Sequence, residues 1–202
     1  MKIALIGATG RVGSRVLREL LTRGHEVTAI ARHAEHVRSE PHVTARSGNA
    51  DDPDALARLL KGHDAVISAV RFAASDPQKL IEAVRASGVT RYLVVGGAGS
   101  LEVAPGVQLI DTPTLPDAAK PEAAAGGVFL DTLRQETELD WTFLSPSAVF
   151  APGERTGKFR LGKDQLLTTD KGSSISFEDF AVALVDELEQ PRHSRERFTV
   201  GY

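Results

Sequence analysis

Gly7-Ala8-Thr9-Gly10-Arg11-Val12-Gly13 is the stretch that decides the fold of this chain. It follows a short apolar run at residues 3–6, and apolar side chains recur after it at helical spacing. In such a loop the first glycine permits a tight turn, the second lets the backbone approach a pyrophosphate, and the third lets the helix pack closely. The pattern predicts a phosphate site, with an unliganded turn as the alternative. Its predicted contacts are Gly7, Thr9, Gly10, Arg11, Val12 and Gly13.

The rest of the chain alternates apolar runs with amphipathic stretches. The apolar runs predict strands at residues 3–6, 26–31, 43–46, 65–70, 91–95, 141–144 and 197–200, and a short strand near Leu166. The amphipathic stretches predict helices at residues 11–23, 53–61, 77–87, 122–138 and 177–189. This rhythm implies right-handed crossovers and a doubly wound parallel α/β sheet, with helices on both faces. Residues 96–118 are predicted to be a long loop.

Composition narrows the class of protein. The chain has 202 residues, 42% of them hydrophobic, a net charge of −3 and no cysteine. We expect one domain over residues 1–202, with no disulfide and no metal site. Neither a basic surplus for nucleic acid nor an apolar run for a membrane is present, and no secretion signal is recognisable. The expectation is a cytoplasmic monomer or homodimer that acts on a small molecule.

The end of the second predicted strand bears on the choice of cofactor. An NAD-binding protein places Asp or Glu there to accept from the ribose 2′-hydroxyl. This chain has Ala29-Ile30-Ala31-Arg32 instead, and a guanidinium can clamp a 2′-phosphate. Arg11 would close on the same phosphate from the other side. NADP(H) is therefore preferred over NAD(H). The alternative is that Arg32 is a surface charge paired with Glu35.

The glycine spacing resembles that of the extended and atypical short-chain dehydrogenase/reductases. Further segments narrow the resemblance to their NADH-flavin reductase-like branch, which is related to NmrA-like proteins and biliverdin-IXβ reductase. Those segments are residues 48–52, 94–100, 145–147, 152–157 and 175–181, so the resemblance covers nearly the whole chain. It implies a Rossmann-type fold with a small irregular C-terminal region on the substrate side.

The resemblance also implies further cofactor contacts. Asp51 is a candidate acceptor for the adenine amino group. Asp52 is instead expected to cap a helix, because Pro53 follows it at the first helical position. The contacts implied at the other strand ends are Asn49, Ala50, Asp51, Ala69, Val70, Gly96, Gly97, Ser145, Pro146 and Ser147.

A dedicated proton donor is not evident in the sequence. Short-chain reductases use a Tyr and a Lys four residues apart, and the two tyrosines here, Tyr92 and Tyr202, have no such partner. Ser100 and Lys120 remain candidate catalytic residues, against alternative roles as a turn residue and a solvated lysine. Arg155 and Lys158 are either an anion-binding pair or solvent-facing charges.

These observations favour an NADPH-dependent reductase that passes hydride to a flavin-like or quinonoid acceptor, with FMN or FAD as substrate. Stacking of the acceptor on the nicotinamide would supply much of the rate without a protein acid. A non-catalytic NADP(H)-binding redox sensor, as among NmrA-like proteins, is the main alternative. The missing Tyr/Lys pair disfavours a sugar epimerase or dehydratase.

Overall fold

The backbone alternates strands and helices as the sequence predicts. The computed structural model describes residues 1–202. The strands are β1 (Lys2–Ile6), β2 (Glu26–Ala31), β3 (Val43–Ser47), β4 (Ala65–Ser68), β5 (Arg91–Val95), β6 (Glu102–Ala104), β7 (Val107–Gln108), β8 (Asp140–Pro146), β9 (Val149–Ala151), β10 (Arg160–Gly162), β11 (Ser174–Ser176) and β12 (Glu196–Gly201). The helices are α1 (Gly13–Thr22), α2 (Pro53–Leu60), α3 (Pro77–Ser87), α4 (Lys120–Arg134) and α5 (Phe177–Glu189).

Eight of the strands form one sheet in the order β10-β12-β8-β5-β4-β1-β2-β3. Every neighbouring pair is parallel except β10 with β12. The predicted doubly wound parallel sheet is therefore confirmed. The chain leaves β1 for β2 on one side and crosses back to β4 on the other. In such sheets ligands bind at this switch point, beyond the carboxyl ends of the strands.

Two apolar cores cover the two faces of the sheet. One core joins the sheet to α1 and α5, and the other joins it to α2, α3 and α4. Polar residues set the helix starts: the side chains of Asp52, Asp76 and Ser176 accept backbone N–H groups at the first turns of α2, α3 and α5. The capping role predicted for Asp52 is confirmed. None of the helices combines the length and the apolar character that a membrane span requires.

The predictions fail where strands pair over long sequence distances. No strand lies at Leu166; the local strand is β10, and the Leu166 N–H donates to the Glu102 carbonyl oxygen at 2.8 Å. The predicted loop 96–118 contains the β6–β7 hairpin, and β9 pairs with β11 in a parallel pair that the sequence did not suggest. Helix α4 begins two residues earlier than predicted, at Lys120, and ends at Arg134.

Candidate functional site

The glycine loop adopts the geometry that its three glycines require. Gly7 has φ +84°, and a Cβ there would lie 2.5 Å from the Ala69 carbonyl oxygen. A Cβ on Gly13 would lie 2.1 Å from the Gly7 carbonyl oxygen, so this glycine permits the close packing of α1. Gly10 is different, because its nearest contact would be 3.2 Å away, at the Gly7 carbonyl oxygen. A side chain at Gly10 would therefore crowd the protein less than one at Gly7 or Gly13.

Unpartnered backbone donors surround this loop. The N–H groups of Thr9, Arg11, Val12 and Gly13 donate to no protein acceptor, and α1 has no side-chain cap. Free N–H groups at a helix N-terminus, with the positive end of the helix dipole, form an anion site. The residues present fit the pyrophosphate of a dinucleotide.

Arg32 extends from the end of β2 with its charge free. It is exposed and forms no ion pair within 4.0 Å. Glu35, the alternative partner, lies 3.1 Å from His33 Nδ1 instead. The guanidinium is thus available to a ligand phosphate.

The side chain of Arg11, the second arm of the expected phosphate clamp, lies against an aromatic ring in this structure. Its guanidinium carbon lies 5.1 Å from the centroid of the Phe177 ring, at the start of α5, in a cation–π contact. In this structure the side chain of Arg11 contacts α5, and its closure on the 2′-phosphate stays a prediction.

The segment after β3 leaves one carboxylate free. Asn49 Oδ1 accepts the Asp51 N–H at 3.1 Å, so the Asn49 side chain shapes the turn. Asp52 is occupied as the cap of α2, whereas the Asp51 carboxylate is exposed and has no hydrogen-bond donor. Ala50 packs against the core on the α2 side. Asp51 therefore remains the group available to an adenine amino donor.

The carboxyl ends of β4 and β5 lie next to the glycine loop along the same edge of the sheet. Ala69 donates its N–H to the Ile6 carbonyl oxygen at 2.8 Å, which places Ala69 and Val70 beside the glycine loop. A Cβ on Gly96 would lie 2.4 Å from the Phe143 ring, so packing requires glycine there. Gly97 has no atom nearer than 3.7 Å to such a Cβ and leaves the surface at the end of β5 open.

The Ser145–Pro146–Ser147 segment contributes buried side chains. Ser145 and Pro146 belong to β8 rather than to the loop after it. Ser147 Oγ donates to the Val200 carbonyl oxygen at 3.0 Å, and Ser145 Oγ faces Arg197. Both side chains are buried, so neither hydroxyl is exposed at the surface, and a cofactor contact by this segment stays a prediction.

The two candidate catalytic side chains are both engaged by neighbours. Ser100 Oγ accepts from Arg197 Nη1 at 3.2 Å, and Arg197 also binds Asp164 at 2.6 Å. Lys120 Nζ lies 2.7 Å from Asp117 Oδ1. These contacts favour structural roles, as the alternative interpretations of both residues proposed.

The tyrosines are also held in structural contacts. Burial raises the pKa of the Tyr92 hydroxyl, which hydrogen-bonds Ser68 at 2.9 Å. Burial likewise raises the pKa of the Tyr202 hydroxyl, which donates to Asp179 Oδ2 at 2.8 Å. The structure thus places no Tyr/Lys pair at this edge of the sheet.

Arg155 is anchored to a buried carboxylate. Its guanidinium donates to both oxygens of Glu19, at 2.7 and 2.8 Å, and Glu19 also accepts from Arg23. The hydrogen bonds from Arg155 hold the pKa of the Glu19 carboxyl below its ordinary value. The ion pair joins the loop after β9 to α1, so Arg155 is not the free anion-binding group that the sequence allowed.

Arg155→Ala is expected to lower the free energy of unfolding by about 1–2 kcal/mol at pH 7, because Glu19 loses one of two charged partners. A depressed carboxyl pKa stabilises the fold above the unfolded value near pH 4.3 and stops doing so as pH falls through the folded pKa. The difference from wild type should therefore shrink below about pH 4. Urea unfolding at several pH values measures it. Lys158→Ala removes a neighbouring loop charge as the control, and an equal loss there would contradict the assignment.

The doubly wound sheet, the free N–H groups at its switch point and the arginine at the end of β2 define a Rossmann-type dinucleotide-binding protein. The chain belongs to the NAD(P)H-binding family, whose sequence model matches residues 7–191.

The relatives cover the full length of the chain. YwnB of Bacillus subtilis (strain 168) is 44% identical over 211 residues, covering 99% of this chain and 98% of YwnB. A Bacteroides thetaiotaomicron structure provisionally described as an epimerase is 46% identical with a TM-score of 0.95, covering 100% of this chain and 96% of that one. A Streptococcus pneumoniae TIGR4 structure provisionally described as an NADH-flavin reductase is 40% identical with a TM-score of 0.81, covering 100% of this chain and 99% of that one. The resemblance to the flavin reductase-like branch is confirmed.

Proposed function

We propose that this protein is an NADPH-dependent reductase that transfers hydride to a flavin-like or quinonoid acceptor. The observation that carries the proposal is a dinucleotide platform without a protein acid. Thr9, Arg11, Val12 and Gly13 offer free N–H groups, Arg32 has no ion-pair partner, and both tyrosines are engaged elsewhere. An acceptor that takes hydride while stacked on the nicotinamide does not need a proton-donating side chain, whereas a carbonyl substrate does. The relative described as an NADH-flavin reductase supports this choice.

Each part of the site has a distinct task under this proposal. NADPH supplies the hydride when bound. The glycine loop holds the pyrophosphate, Arg32 the 2′-phosphate and Asp51 the adenine amino group. The bare backbone at Gly97 leaves room for a flat ring against the nicotinamide, between residues 97–100 and 145–147. Solvent delivers the proton.

Steady-state oxidation of NADPH with FMN, FAD and small quinones tests the proposal. We expect turnover that depends on both the cofactor and the acceptor, with NADH a weaker donor. NADPH binding without turnover of any acceptor would favour the redox-sensor alternative. Isomerisation of a sugar nucleotide without net NADPH oxidation would favour the epimerase class instead.

Loss of any single candidate acid is expected to be mild. Ser100→Ala, Lys120→Ala and Tyr202→Phe should each lower the rate with saturating FMN by less than about tenfold, well short of the 10²–10⁴ typical of a lost general acid. The reason is that all three side chains are already committed to protein partners. A thousandfold loss in one variant, with its fold intact, would identify a proton donor and contradict the stacking mechanism.

The proposal extends to location and assembly. A cytoplasmic reductase would have direct access to the NADPH that the cell keeps reduced there, and one chain carries all the groups assigned above. We therefore propose a cytoplasmic monomer or homodimer. Cell fractionation and light scattering measure the two properties directly.

A further inference from the structure

The segment after β4 forms one wall of the candidate cofactor groove. A Cβ on Gly7 would lie 2.5 Å from the Ala69 carbonyl oxygen, so the backbone of this segment lies directly against the glycine loop. In this fold the adenosine half of a dinucleotide faces the end of β2. The nicotinamide half must then extend to the other side of β1, over the ends of β4 and β5. Ala69 and Val70 therefore border the half of the cofactor that reacts.

A carboxylate from α4 holds this segment in place. Glu122 accepts the backbone N–H groups of Phe72 at 2.7 Å and Ala73 at 3.0 Å. These donors open the 3-10 turn Phe72–Ala74 and, like the first N–H groups of any helix, have no acceptor inside it. Arg71 is a weaker partner, because it lies 3.9 Å from Glu122 and its side chain is 80% exposed. The main task of Glu122 is thus to bind the backbone of another element.

The same turn has an independent apolar anchor. The Phe72 ring packs against Phe129 and Phe143, with ring centroids 5.2 and 5.9 Å apart, and a Cβ on Gly126 would lie 3.0 Å from it. Because this ring is buried in the core, the turn should stay folded when Glu122 is removed. The Glu122 carboxylate additionally fixes the position of the backbone that runs from the glycine loop to the Phe72 ring.

We propose that Glu122 is a positioning residue for the nicotinamide half of the cofactor, a role that rests on the proposed function. Its two hydrogen bonds join the first turn of α4 to the segment 69–73, which borders the candidate cofactor groove. The position of this segment is therefore fixed relative to α4. Glu122 touches neither the cofactor nor the acceptor in this role. It acts through the backbone of Phe72 and Ala73.

Two ligands separate positioning from general stability. NADPH spans the whole groove, whereas 2′,5′-ADP carries only the adenosine half with its phosphates. Fluorescence titration of NADPH and calorimetric titration of 2′,5′-ADP need no turnover, so the result does not depend on which acceptor is reduced.

Glu122→Ala should weaken NADPH binding about tenfold, and Glu122→Gln, whose amide keeps one acceptor oxygen, about threefold. Both variants should bind 2′,5′-ADP within about twofold of wild type, with melting temperatures within a few degrees. Asp131→Asn, which removes an exposed carboxylate from the same helix, is the control and should change neither affinity.

Unchanged NADPH affinity in both folded Glu122 variants would overturn the inference. An equal loss of affinity for NADPH and for 2′,5′-ADP would also overturn it. If Glu122→Ala fails to fold, Glu122→Gln still decides between these results. A wild-type protein that binds no NADPH would overturn the proposed function itself, and the wild-type titration alone shows this.

Discussion

Gly10→Val is expected to weaken the affinity for NADPH by about a hundredfold or more, while the protein still folds. The Cβ of the new side chain would lie 3.2 Å from the Gly7 carbonyl oxygen and 3.7 Å from the Ala69 carbonyl oxygen, a much looser fit than the 2.1 Å contact of a Cβ on Gly13. The methyl groups beyond it would occupy the space beside the free N–H groups of Thr9, Arg11, Val12 and Gly13, where the pyrophosphate must approach. The effect should therefore fall on the ligand and not on the protein.

Circular dichroism together with NADPH titration checks this result. Gly13→Ala is the matched control, because its Cβ would lie 2.1 Å from the Gly7 carbonyl oxygen and should destabilise the fold itself. Undiminished NADPH binding by a folded Gly10→Val protein would mean that the loop is only a turn.

Arg32→Ala should weaken NADPH binding by about 5- to 150-fold, which corresponds to 1–3 kcal/mol for charge-assisted hydrogen bonds to a phosphate. NADH affinity should stay the same, because NADH has no 2′-phosphate. The preference for NADPH over NADH would then largely disappear. The full effect is expected because Arg32 forms no ion pair that would compete for its guanidinium, and because Arg11 contacts Phe177.

Titration of both cofactors against wild type and variant measures the change in preference. Arg58→Ala removes an exposed positive charge from the last turn of α2 and controls for the general electrostatic effect. Equal affinities of the wild-type protein for NADPH and NADH would contradict the assignment of Arg32.

The central sheet and the glycine loop were predictable because their signals are local. Strand, turn and helix follow one another within residues 2–22, and the roles of Gly7 and Gly13 depend on turn geometry and close backbone packing at that point. The capping roles of Asp52 and Ser176 are local in the same way, since each accepts a backbone N–H three residues onward.

The C-terminal half was less predictable because its order depends on contacts between distant segments. The backbone near Leu166 is held by Glu102, and β10 pairs antiparallel with β12 at the end of the chain. No spacing within residues 152–170 carries this information. Glu122 shows the same limit at the site: its position near a helix start suggests a favourable charge on the helix dipole, but its backbone partners lie about fifty residues earlier.

The sequence by itself determined the class of fold, the glycine loop and the residue at the end of β2, since all three depend on neighbours in the chain. Only the tertiary structure decided which charged groups are free to bind a ligand. Both Arg32 and Arg155 are candidate anion-binding groups in the sequence, yet Arg155 is held by Glu19, 136 residues away, while Arg32 has no ion-pair partner. An ion pair depends on the distance between atoms in space, and only the folded chain brings such distant residues together.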